Sequence, residues 1–103
     1  MADDAPPAGQ NPMADHDAER SRFVIRGAPG AFLTYRLIGT QLVLDHTEVP
    51  EELRGQGLSQ VLARAALEHA KAHGYRVVPI CPTVRRFLAS HPEYESLVRT
   101  RDA

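Results

Sequence analysis

Apolar positions along the chain change period twice, and these changes mark out the expected elements. Phe23, Val24 and Ile25 form a short apolar run that stops at the turn formers Gly27-Ala28-Pro29-Gly30. Ala31 to Ile38 then alternates, with Phe32, Thr34 and Arg36 on one side and Leu33, Tyr35 and Leu37 on the other. Alternation of period two beside a tight turn is a hairpin signal. Gly39-Thr40 makes a second turn into Gln41 to Val49, where Leu42, Val43 and Leu44 supply a third strand. Three strands joined by short turns predict an antiparallel meander.

From Leu58 the period becomes helical. Leu58, Val61, Leu62, Ala65 and Ala72 share one stripe, Gln60, Arg64 and Lys71 face away, and Gly74 takes the usual C-terminal place. Leu67 lies off that stripe, and His69 lies in its middle, where packing into the core is the plainest role. Tyr75 to Cys81 is apolar on both faces, as expected of a strand covered on each side. The strand at 41 to 49, the helix at 58 to 73 and the strand at 76 to 81 make a crossover unit, long enough for parallel pairing and expected to be right-handed. Pro82 suits the first turn of a second short helix through Phe87 and Leu88 to Ser90, ended by His91-Pro92. Tyr94, Leu97 and Val98 form a last apolar patch that could close over the sheet. The pattern predicts a mixed α/β fold: a three-stranded meander, a βαβ crossover and a second helix on the C-terminal side.

Composition adds a boundary. Residues 1 to 20 are rich in Pro, Ala and Asp and nearly free of large apolar side chains, so they are expected to be a disordered acidic tail, with one domain spanning 21 to 103. The net charge of −1 hides an asymmetry: residues 1 to 19 carry five acids and no Lys or Arg, leaving twelve basic groups against eight acids, or +4, in the remainder. That suits an anionic small ligand but falls short of a nucleic-acid stripe, so no nucleic-acid partner is expected. No apolar run approaches the ~20 residues of a membrane span, and the first residues lack the features of a signal peptide, so a cytoplasmic location is expected and no membrane partner. A single cysteine, Cys81, agrees with a reducing compartment.

The chemistry concentrates at His46 to Gln60, where an extended segment ends at Pro50, a loop with Gly55 and Gly57 follows, and a helix begins at once. A helix start leaves four N–H groups unpaired and carries roughly half a positive charge, so it is ready to hold a phosphate. A Walker loop needs Gly-Lys-Ser/Thr, but Gly57 is followed by Leu58. A dinucleotide fingerprint needs a third glycine where Gln60 stands, and more βαβ units than this chain has.

A third pattern fits. Arg54-Gly55-Gln56-Gly57-Leu58-Ser59 resembles the Arg/Gln-x-x-Gly-x-Gly/Ala motif with which GCN5-related N-acetyltransferases hold the pyrophosphate of acetyl-CoA. Together with Pro79, Cys81, Val84, Phe87 and His91-Pro92-Glu93-Tyr94, it resembles a minimal branch with an HTxVP…RGxG…PxCP…HPEY pattern, over residues 22 to 99. The resemblance implies an acetyltransferase-like mixed sheet that uses acetyl-CoA as cosubstrate and no metal. It implies pyrophosphate on Arg54, Gly55, Gln56, Gly57, Leu58 and Ser59, and pantetheine along the backbone of Thr47 and Val49. Ser59 stands where the wider family has Gly or Ala, a small change for a site built of backbone N–H groups. Gly27 to Gly30 leaves no room for the helices that larger members insert after their first strand, so the acceptor side is expected to be open to a bulky amine such as a protein, or to have no efficient acceptor.

For proton transfer, the carboxylate often used by the family falls near Gln41, which cannot ionise, leaving His46 and Glu48 on one strand face as candidates beside a purely structural role. Cys81, just before Pro82, is the third catalytic candidate, either as a thiolate that carries the acetyl group or as a packed core residue. Arg85-Arg86 could reach the ribose phosphate or be a solvated face, and Tyr94 could protonate the CoA thiolate or pack. N-acetyl transfer to a primary amine is thus expected, with a non-catalytic CoA-binding module that engages a partner protein as the alternative.

Overall fold

The structure, a computed structural model, describes residues 13–98. Five strands stand in sequence order across one sheet: β1 (Ala14–Asp17), β2 (Arg22–Ile25), β3 (Ala28–Ile38), β4 (Gln41–Glu48) and β5 (Arg76–Pro79). The first four pair antiparallel and β5 pairs parallel to β4. Helix α1 (Leu58–His73) forms the crossover between β4 and β5, and α2 (Pro82–Ser90) follows with Pro82 in its first turn.

The meander therefore has four strands, and the ordered domain starts ahead of Ser21. β1 carries no fully buried side chain and hence no apolar signal. It is held by its ladder to β2, by Arg26 on Asp15 and by Arg22 on Asp17, so its partners lie across the hairpin and not within the segment. The part of the expected tail at residues 1 to 12 lies outside the described residues.

Alternation in β3 reads out as expected at its centre: Leu33 and Tyr35 are buried, while Phe32 and Thr34 are half-buried and Arg36 is exposed. Leu33, Tyr35, Leu42, Leu44 and Val77 join α1 and α2 in one core cluster. The strand at the sheet's far edge is not covered on both sides: Val77 is buried, Val78 is half-buried and Ile80 is 50% exposed. Its continuous apolar run recorded the β-branched preference of strands more than burial.

The buried face of α1 is turned relative to the expected stripe. It consists of Leu58, Leu62, Ala63, Ala66, Leu67 and Ala70, and Ala72 is exposed. Three alanines on this face bring the helix close to the sheet, and Leu67 is fully buried. In a helix this rich in alanine the apolar residues mark no single stripe, so only tertiary contact decides which face goes in. The C-terminal patch closes as expected, with Tyr94 buried and Val98 bridging to Val77.

Candidate functional site

The site is a fork between β4 and β5. Their parallel ladder runs from Gln41–Arg76 to Leu44–Pro79. The Leu44 carbonyl then accepts from the N–H of both Ile80 and Cys81, at 3.1 and 3.0 Å. Beyond Leu44, Asp45 is an extra residue opposite the Thr34/Tyr35 step of β3, a bulge that bends the strand. A cavity of about 360 Å³ lies here, walled by Thr47, Glu48 and Val49 of β4 and its end, by Leu53, Arg54, Gly55, Gly57, Leu58 and Ser59, and by Thr83 and Arg86 of α2.

The loop reaches this position through two left-handed glycines, Gly55 at φ +85° and Gly57 at φ +77°. Only glycine adopts that conformation without strain. Gly57 is the N-cap of α1 and has no side chain to cap the first turn, whose ladder begins with Val61 N–H on the Gly57 carbonyl at 3.1 Å. The N–H groups ahead of Val61 therefore have no intrahelical carbonyl, which fits an anionic oxygen at that end. Arg54 anchors the loop by donating Nε to the Val49 carbonyl at 3.1 Å. Of the residues implied to hold acetyl-CoA, Thr47, Val49, Arg54, Gly55, Gly57, Leu58 and Ser59 line the cavity, whereas Gln56 is exposed and does not. Gln56 spaces the two glycines.

The three catalytic candidates are not brought together. Glu48 lines the cavity, and His46 Nε2 lies 3.0 Å from Glu48 Oε1, both side chains well exposed at 61% and 49%. Cys81 is 2% exposed and belongs to the core cluster, so its thiol is not part of the cavity wall. Its Sγ lies 3.2 Å from Thr47 Oγ1. Burial raises the thiol pKa, but hydrogen bonds from the Thr47 hydroxyl, the N–H groups of Val84 and Thr83 and the Thr83 hydroxyl outweigh it and hold the thiol below its ordinary value. The sequence missed Thr83 and Leu53 as wall residues. Thr83 follows Pro82 in the first turn of α2 and so turns toward the same fork, a signal present in the sequence.

The remaining candidates separate cleanly. Arg85 donates to the Pro79 and Ile80 carbonyls at 3.4 and 2.9 Å, while Arg86 lines the fork. Arg86 also lines an adjoining cavity of about 250 Å³ with Ser59, Gln60, Thr83, Phe87, Ser90 and His91. Tyr94 is not at the fork: its hydroxyl donates to Glu68 Oε2 at 2.5 Å and accepts from Arg64 Nη1 at 3.0 Å. Burial and then the Glu68 carboxylate raise its pKa against the opposing effect of Arg64. Among the described residues no group of three or more His, Cys, Asp or Glu is arranged to hold a metal ion.

Comparison with known proteins agrees with this geometry. A family model described as GCN5-related N-acetyl-transferase matches residues 22–97. Protein NATD1 of Bos taurus is 34% identical over 99 residues, covering 92% of this chain and 88% of that protein. Protein NATD1 of Homo sapiens is 33% identical over 89 residues, covering 82% and 79%. The solution structure of a GCN5-like protein from Staphylococcus aureus superposes with a TM-score of 0.65 at 26% identity, over 84% of this chain and 86% of that one. With the fork, the two-glycine loop and the uncapped helix start, these matches show that the chain belongs to the GCN5-related N-acetyltransferase family.

Proposed function

We propose that the protein is an acetyl-CoA-dependent N-acetyltransferase of the cytoplasm, acting on a primary amine carried by a bulky acceptor such as a protein. The observation that carries this is the cavity itself, which lies between the end of β4 and the first turn of α2 and reaches the unpaired N–H groups of α1. These N–H groups, with Gly55 and Arg54, would hold the pyrophosphate, Arg86 would add a cation to the phosphates, and the backbone at Thr47 to Val49 would run beside pantetheine. The link after the first strand, β1 to β2, holds only the three-residue turn Ala18–Arg20, and no helix lies between β2 and β3, which supports an open acceptor side.

The reaction needs an uncharged amine to attack the thioester carbonyl. Glu48, at the cavity wall, would take the amine proton and His46 would pass it outward. Burial of Cys81 favours direct attack over an acetyl-Cys81 stage. The same burial, together with the absent acceptor-site helices, also supports a second reading: a CoA-binding module that engages a partner protein without transfer.

Thermal unfolding in the presence of CoA tests both. Ligand at about 100 times its Kd stabilises the folded state by about 2.7 kcal/mol, a shift of roughly 10 °C or more for a domain of this size. An unchanged midpoint at millimolar CoA would end both readings, whereas a shift without acetyl transfer to a panel of amines and peptides would select the second.

A further inference from the structure

Thr47 and Cys81 face different surroundings across one hydrogen bond. Thr47 Oγ1 and Cys81 Sγ are 3.2 Å apart, and either atom can be the donor. The threonine lines the cavity, while the thiol lies behind it in the core at 2% exposure. The Thr83 hydroxyl also lowers the thiol pKa. Thr83 Oγ1 accepts from Arg86 Nη2 at 3.4 Å. The N–H groups of Thr83 and Val84, in the first turn of the nine-residue α2, lower the thiol pKa as well. All of these groups, Thr47 included, favour the anionic form of the sulfur. Thr47 both lines the cavity and lies 3.2 Å from Sγ, so its hydroxyl can pass a proton in both directions between the buried sulfur and the cavity.

We propose that Thr47 is a proton relay joining the buried Cys81 thiol to the sulfur of CoA in the fork, which makes Thr47 a catalytic residue and Cys81 a positioning residue that acts through it. The relay rests on the acetyl-CoA reading above. In the transfer, the amine nitrogen forms a bond to the thioester carbonyl carbon, the carbon–sulfur bond breaks, and the electron pair stays on the departing sulfur. Thr47 gives its hydroxyl proton to that sulfur and takes the thiol proton of Cys81. The negative charge then rests on Cys81, within the donors of Thr83 and Val84. After product release, Cys81 regains a proton from solvent through Thr47, which balances the one that His46 passed outward. Both groups are thiols, so the proton passes between acids of the same chemical kind, as efficient acid–base transfer requires. Tyr94, the other hydroxyl considered for this step, is held by Glu68 and Arg64 outside the cavity.

The test reads Cys81 itself and needs no acceptor. The full chain, labelled with 13C at cysteine Cβ, is titrated with base at saturating CoA and at saturating desulfo-CoA, which lacks the sulfur. Two thiols bridged by one hydroxyl cannot both ionise freely, so CoA raises the Cys81 midpoint by about one pH unit over desulfo-CoA. Thr47→Val abolishes that difference and Thr47→Ser keeps it. Equal midpoints with the two ligands, or a difference that survives Thr47→Val, overturns the relay even if Thr47→Ser proves too unstable to use. Intact mass showing an acetyl group on Cys81 after exposure to acetyl-CoA overturns it too, in favour of the covalent route. Failure of both ligands to bind removes the acetyl-CoA reading itself, a separate and recognisable outcome.

Discussion

The hydroxyl of Tyr94 donates to Glu68 Oε2 at 2.5 Å, so the C-terminal turn is tied to the outer side of α1 and not to the fork. Tyr94 is 3% exposed, and Arg64 reaches over both its ring and that of Phe87. Hydrogen bonds to charged groups contribute about 1.5–3 kcal/mol. Tyr94→Phe is expected to lower stability by about 2 kcal/mol in denaturant unfolding and to leave CoA affinity unchanged. A large loss of affinity at equal folded fraction would place Tyr94 at the cavity after all.

Leu67 and Ala72 exchange the roles that helical periodicity suggests. Leu67 is fully buried and Ala72 is exposed. Leu67→Ala should cost about 3 kcal/mol, counting transfer and cavity together, whereas Ala72→Ser should stay within about 0.5 kcal/mol. Urea midpoints of the two variants check the rotation of the helix directly.

The neighbouring arginines should differ in kind. Arg86→Ala removes a cation from the cavity wall and is expected to weaken CoA binding about tenfold, equivalent to about 1.4 kcal/mol, with a shallower salt dependence. Arg85→Ala releases the Pro79 and Ile80 carbonyls, which should lower stability by about 1 kcal/mol at most and leave affinity nearly intact. Calorimetric titration of the two variants at two salt concentrations separates them.

His69 is half-buried and meets His16 edge-on at 4.4 Å between ring centroids and His73 at 4.1 Å, with Phe23 and Tyr75 alongside. Burial, then the charges of His16 and His73, lower its pKa. His16, hydrogen-bonded to Tyr35 Oη, is lowered by burial and His73 and raised in part by Asp17. The folded chain thus binds fewer protons than the unfolded chain below the ordinary histidine pKa of about 6.5. Their contribution is complete above about pH 6.5 and is lost as the pH falls through the lowered folded values. Melting temperature should decline with a shallow slope from about pH 6.5 downward, shallow because these rings are partly open to solvent. His69→Phe should flatten that slope; an unchanged slope would contradict it.

How much of this was legible in the sequence depends on what carried the signal. The loop from Arg54 to Ser59 could be read because its chemistry is local: two glycines, a helix start and a preceding strand lie within a few residues. The β3 alternation and the Pro82 helix start are local in the same sense. β1 could not be read, since Asp15 and Asp17 are stabilised by Arg26 and Arg22 across a turn. The orientation of α1 depended on the sheet beneath its alanines. The burial of Cys81 depended on the core around it, and its partner Thr47 lies 34 positions away in sequence.

The most direct measurement is an amide chemical-shift titration of the full chain with CoA. Saturable changes are expected to centre on Thr47, Val49, Gly55 and Gly57 to Gln60, with Arg86 moving and the amides around Tyr94 still. Unmoved amides at 54 to 60 with millimolar CoA, or changes centred elsewhere, would contradict it.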